Sequence, residues 1–191
     1  MPTPNTRREN MITTLVDAAE EIMFTQGPQA LTATAVAKRA GIARNSIYRY
    51  VNSIDELPAH VLARHLPPWI EAVENALATS SDPRERIRKY VETNLQRADH
   101  AGHAQLMAMA RHMPPHTLQQ VDGAHQLLAA TLLEECEKLD PQGAQLTAAF
   151  IRAILETGMN AIGRGADINE VITRSTQACD AIMEQCQQNQ P

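Results

Sequence analysis

The stretch "AVAKRAGIARNSIYRYV", residues 35–51, carries Lys38, Arg39, Arg44 and Arg49 and no acid, in a chain whose formal net charge is −5. The acid-free window is wider still, for no Asp or Glu occurs from Ile22 to Ile54. Residues 1–65 hold 7 Lys/Arg against 6 Asp/Glu, and residues 66–191 hold 10 against 16, so the acidity lies in the second part. A basic window without carboxylates in an acidic chain is a candidate surface for a polyanion, although an ordinary solvated face has the same composition. Spacing narrows the choice. Ala37, Gly41 and Ile47 stand at i, i+4 and i+10. A small residue lets two short helices cross, glycine takes the turn conformation between them, and isoleucine buries the second helix against the first. Arg44, Asn45, Ser46, Tyr48 and Arg49 are then left on the other faces of the second helix, and a DNA major groove admits a helix presenting such donors.

Outward from this window the chain reads as helix after helix, all-α, with almost no period-2 alternation. Leu15, Val16, Ala19, Ile22 and Met23 recur at helical spacing and stop at Gly27-Pro28. Thr32 is placed to cap a short helix over about residues 33–40, a third helix is expected over about 43–50, and "SIDE" at 53–56 matches the capping box of a fourth. Pro58 predicts a kinked or frayed start to that helix, and Pro67-Pro68 its end, with a separate helix from Trp69 to Ala78. Asp82 can cap the next helix, with Pro83 at its first position and Ile87, Tyr90, Val91, Asn94 and Leu95 as its stripe. A Met-rich stretch, "LMAMARHM", and Pro114-Pro115 precede a long helix through Leu118, Val121, Leu128, Leu132 and Leu139, and "DPQG" at 140–143 marks a turn. In the two closing helices, Leu146, Phe150, Ile154 and Gly158 share one face, and Ile168, Ile172, Cys179, Ile182 and Cys186 another. Such a pair either completes the internal core or packs on its own copy.

Length and composition set further bounds. At 191 residues the chain can bury a core without disulfides or metal. No run approaches the roughly 20 apolar residues of a membrane span, and Arg7 and Arg8 are not followed by an apolar signal region, so a cytoplasmic protein with no membrane partner is expected. Cys136, Cys179 and Cys186 lack C-x-x-C spacing, which fits reduced thiols. No phosphate loop, nucleophile elbow or H-E-x-x-H is present; the expectation is a non-enzyme without a cofactor.

Residues 15–57 together resemble the N-terminal domain of the tetracycline-repressor (TetR) family of bacterial transcriptional regulators. The matching elements are Asp17-Ala18-Ala19, Gly27, Thr32, the V-A-x-x-A-G-I run from Val36 to Ile42, Ile47-Tyr48-Arg49-Tyr50, and the S-x-x-E-L start at Ser53. The resemblance covers about a quarter of the chain. It implies a helix-turn-helix domain over residues 1–52 and a helical ligand-binding and dimerisation domain over 53–191. It also implies a homodimer on pseudo-palindromic operator DNA, acting as a repressor and released when a small-molecule effector shifts the fourth helix. Half-sites one turn apart require about 34–36 Å between reading helices, so small shifts matter. The DNA-binding residues on this reading are Thr32, Thr34, Lys38, Arg44, Asn45, Ser46, Tyr48, Arg49 and Tyr50. Ile54 stands where the family commonly has a phosphate-contacting lysine, Asn45 where a glycine is frequent, and Val51 where an aromatic usually follows. Asn45 either reads adenine or caps its helix.

The expected effector is small and largely apolar, because Trp69, Tyr90 and Phe150 are the only aromatic residues outside the head. The candidate ligand residues are Trp69, Tyr90, Asn94, Met107, His112, Met113, His125, Met159 and Asn160; the methionines serve equally as deformable lining or as ordinary core. For the dimer interface the candidates are Gly158, Ala161, Gly165, Ile172, Cys179 and Ile182. The alternative is a metal- or thiol-responsive regulator. Its His100/His103 and His112/His116 pairs are interrupted by Ala101-Gly102 and by the prolines of "MPP".

Overall fold

The computed structural model describes residues 4–98 and 119–188, and among them every regular element is helical. They fall into two compact units, one containing residues 4–65 and the other residues 66–98 and 122–188.

In the first unit, α1 (Pro4–Gln26) buries Leu15, Val16, Ala18, Ala19, Ile22 and Met23. It ends at Gly27, whose φ of 84° suits glycine, and a 3-10 turn, Pro28–Ala30, follows. The hydroxyl oxygen of Thr32 accepts from the Ala35 N–H at 3.2 Å and starts α2 (Ala33–Arg39) as expected. Gly41, at φ 69°, closes α2: its N–H donates to Lys38 and the N–H of Ile42 to Ala37, two bonds that satisfy carbonyls otherwise left over at a helix end. The third helical element is a 3-10 helix, Arg44–Arg49.

The capping box at residues 53–56 takes a different form. Ser53 accepts from the Asp55 N–H, but Glu56 reaches past it and accepts from both the backbone and the side-chain nitrogen of Asn52. After the 3-10 turn Ile54–Glu56 comes α3, Leu57–Leu77. Two expectations fail here. Pro58 falls in the first turn of α3, where its missing N–H has no intrahelical partner to lose. Pro67 and Pro68 lie inside α3 and do not end it. Both are exposed, while buried Leu57, Val61, Leu62 and Leu66 before them and Trp69, Val73 and Leu77 after them hold the helix. Burial overrides the local rule.

In the second unit, α4 (Pro83–Ala98) starts where Asp82 accepts from the Arg84 N–H. It packs with α6 (Ala144–Gly163) and α7 (Ile168–Gln188). A Cβ on Gly158 would meet Leu95 Cδ2 at 2.8 Å, Val171 Cγ1 at 3.1 Å and Ser175 Oγ at 3.2 Å, so this glycine lets α4, α6 and α7 of one chain approach closely. Between α4 and α6, α5 (Gln119–Leu139) buries Leu128, Leu132, Glu135, Cys136 and Leu139; Leu118 and the side chain of Val121 lie outside the described residues.

The row 146-150-154-158 does not share one face. Leu146 and Phe150 are exposed, at 61% and 50%, whereas Gly158 is buried. With about 3.6 residues per turn, each four-residue step overshoots a full turn by roughly 40°, and three steps carry the row from the outer side to the inner. The buried face is Ala144, Thr147, Ala148, Ile151, Leu155, Gly158 and Ile162.

Candidate nucleic-acid interface

Within the first unit, Val36, Ala37 and Ile47 are buried, so α2 and the 3-10 helix Arg44–Arg49 meet through the residues whose spacing suggested it. The remaining candidates divide. Thr34, Lys38, Arg44, Asn45, Tyr48 and Arg49 are exposed, and Ser46 and Tyr50 are half-buried. Thr32 is exposed, but its hydroxyl is engaged in the α2 cap.

The basic residues of the window differ in what they face. Arg39 is ion-paired with Glu21 of α1, which makes it a structural tie. Lys38, Arg44 and Arg49 enter no ion pair among the described residues. Three cations without local counter-charge and the half-exposed Tyr48 therefore surround a short helix whose inner side is fixed by Ile47. Such a surface can neutralise phosphates and offer donors to base edges.

A second feature of this unit escaped sequence reasoning. Arg64 Nη1 donates to Asp17 Oδ1 at 2.6 Å and to Glu20 Oε2 at 2.9 Å, and His65 Nε2 lies 2.7 Å from Glu20 Oε1. The His65 ring also meets Phe24 edge-on, with centroids 6.4 Å apart. These contacts bind the first half of α3 to α1, and Asp17 of the D-A-A motif thereby acquires its role. The partners are more than forty residues apart in sequence, so no local pattern announces them.

In the second unit four of the candidate ligand residues come together. The Trp69 indole N–H donates to Asn94 Oδ1 at 2.9 Å, and Asn94 Nδ2 donates to the Tyr90 carbonyl at 2.7 Å. The His125 ring stands edge-on to Trp69 at 5.8 Å. Trp69, Tyr90 and Asn94 are buried, and burial pushes the Tyr90 hydroxyl up to about 12 against the opposing field of Arg152. Asn94 is thus committed to its own chain on both sides of its amide. Met159 and Asn160 are half-buried on α6, while Met107, His112 and Met113 lie outside the described residues.

The interface candidates also separate. Gly158 and Cys179 are buried within the protomer, so they contact their own chain in place of a second copy. Gly165, at φ 91°, ends α6, where its N–H donates to Ile162 and that of Ala166 to Ala161. Ala161, Ile172 and Ile182 are half-buried. The outer side of α6 instead shows Leu146, Ala149, Phe150, Ala153 and Ile154, of which the spacing had placed Leu146, Phe150 and Ile154 on one face with Gly158.

All three cysteines are buried and free, and burial, reinforced by neighbouring negative charge, pushes Cys136 and Cys179 up to about 12. Thiols so placed are unreactive. Among the described residues no group of three His, Cys, Asp or Glu could hold a metal ion; His100, His103, His112 and His116 lie outside them. No helix among the described residues is long and apolar enough to cross a membrane.

Residues 15–61 match the family model described as bacterial regulatory proteins, tetR family. The chain is 34% identical over 86 residues to the HTH-type transcriptional activator FasR of Mycolicibacterium smegmatis. That match spans 45% of this chain and 39% of FasR. In fold it is similar to SCO4454, a TetR-family transcriptional regulator from Streptomyces coelicolor, with a TM-score of 0.74 at 15% identity over 93% of this chain and 96% of that one. It is likewise similar to the transcriptional regulator FadR from Bacillus subtilis in complex with stearoyl-CoA, with a TM-score of 0.71 at 14% identity over 87% and 96%. The helix-turn-helix spacing, the family match over residues 15–61 and the shared all-helical fold agree, and the N-terminal head of the chain matches the tetR family of bacterial regulatory proteins.

Proposed function

We propose that the chain is a ligand-responsive transcriptional repressor that binds a pseudo-palindromic operator as a homodimer. The observation that carries this reading is the 3-10 helix Arg44–Arg49: Ile47 is buried, while Arg44, Asn45, Tyr48 and Arg49 are exposed in a window free of carboxylates. Tyr48 and Arg49 position the helix on phosphate, with Lys38 adding charge from α2. Dimerisation uses the outer side of α6, where Leu146 and Phe150 are exposed, together with the half-buried Ile172 and Ile182 of α7. The effector is small and largely apolar, and Trp69, Tyr90 and His125 are its nearest recognisable surroundings. Support for an apolar ligand comes from the buried Trp69 and Tyr90 and from the apolar stearoyl chain of the stearoyl-CoA in complex with a protein of the same fold. The buried, unreactive thiols give no support to a thiol-responsive reading.

Selection from a random duplex library, followed by sequencing of the retained DNA, tests the proposal. Two inverted half-sites with centres about one helical turn apart are expected. A retained pool no different from the starting library contradicts it.

A further inference from the structure

We infer that Asn45 reads an adenine in the major groove and fixes one A·T pair in each half-site. The inference rests on the DNA-binding reading above and adds to it a residue and a base.

Asn45 does not cap its helix. Asparagine at the start of a helix ordinarily caps it, its side-chain oxygen accepting a backbone N–H. Here the capping position belongs to Ala43, which has no side chain to offer, and the 3-10 helix Arg44–Arg49 starts without any side-chain cap. Asn45 lies two residues inside, exposed, and enters no hydrogen bond among the described residues. Other polar side chains nearby are committed: Thr32 caps α2, Asn52 donates to Glu56, and Ser53 is bonded to Asp55. The capping alternative therefore has no bond to support it.

What remains is an amide with one acceptor and a donor side by side, on the outer face of the helix. It lies two positions before buried Ile47 and next to Arg44, a cation with no ion pair among the described residues. Adenine presents a matching pair in the major groove, N6–H as donor and N7 as acceptor, so that Oδ1 accepts from N6 while Nδ2 donates to N7. Guanine presents two acceptors there, and neither pyrimidine offers the pair. With no carboxylate between Glu21 and Asp55, nothing in the surrounding sequence repels the helix from the groove.

The test is the library selection repeated with the 191-residue Asn45→Gly and Asn45→Ala chains. Both changes are at an exposed position, and a circular dichroism melt checks that the fold is kept. The wild-type chain is expected to select an adenine at one symmetric position per half-site. Both variants should lose the preference there by about 5- to 150-fold and keep it elsewhere. Replacing that adenine by 7-deazaadenine should weaken the wild-type chain and leave the variants unchanged. If the wild-type chain enriches no sequence, the DNA-binding reading itself fails. If it enriches a symmetric site and both variants enrich the same site with every preference intact, or lose affinity evenly at all positions, then DNA binding stands and the adenine assignment is overturned.

Discussion

The guanidinium of Arg64 donates to the carboxylate of Asp17, 47 residues earlier, at 2.6 Å, and Glu20 accepts from the same nitrogen. The cluster is partly open to solvent, with Arg64 37% and Asp17 59% exposed, so its worth is limited by screening. Arg64→Met, which keeps much of the apolar stem, is expected to cost about 0.5–1 kcal/mol in urea unfolding at low salt. The difference from wild type should shrink towards zero near 1 M salt, where the screening length is about 3 Å. A loss above about 2 kcal/mol, unchanged by salt, contradicts this account of the cluster.

Glu135 behaves differently because it is only 2% exposed. Burial alone would push its carboxyl up, but hydrogen bonds from Arg86 at 2.9 Å and Lys138 at 2.8 Å outweigh it and hold it below its ordinary value of 4.5. The unfolded chain therefore takes up this proton at a higher pH than the folded one. The stabilisation is complete above the ordinary value and is lost as pH falls through the lowered one. Glu135→Gln should be less stable than wild type from pH 6 to 8, by about 1–3 kcal/mol, since Arg86 also holds the Leu77 carbonyl and is left with a weaker partner. The gap should narrow as pH falls below 4.5. A gap that widens with acid rules the assignment out.

Leu146 and Phe150 are exposed on α6 at 61% and 50%, whereas Ile172 and Ile182 of α7 are half-buried. The Leu146→Glu/Phe150→Glu double variant should therefore sediment as a folded monomer and lose operator affinity, because one head keeps half the contacts. Ile172→Glu should in addition lower thermal stability. A double variant that sediments as an intact dimer moves the interface elsewhere.

Where the sequence was legible, the cause was local. Thr32, Gly41 and Ile47 each act through neighbours within a few positions, so cap, turn and crossing could be read from spacing. Pro67 and Pro68 were misread because a local rule met a tertiary one: the buried residues on both sides hold α3 through them. The outward face of α6 was lost because a four-residue row winds around a helix with about 3.6 residues per turn. The Arg64 cluster, and the burial of Glu135 beside Arg86, pair residues far apart in the chain and leave no periodic trace. Asn45 was ambiguous in sequence, since capping and base reading favour the same residue. With Ala43 at the cap, Asn45 lies inside the helix and makes no cap bond.

On the proposed function Lys38, Arg44, Tyr48 and Arg49 face DNA phosphate and base edges, and the salt dependence of DNA affinity tests this most directly. For wild type, the logarithm of the association constant should fall linearly with the logarithm of salt concentration, with a slope of about −0.9 for each phosphate neutralised. The Lys38→Ala/Arg44→Ala/Arg49→Ala variant should bind more weakly and show a shallower slope, smaller by about 0.9 for each contact removed. An affinity for DNA that does not change with salt, or a variant whose slope equals that of the wild type, contradicts the account.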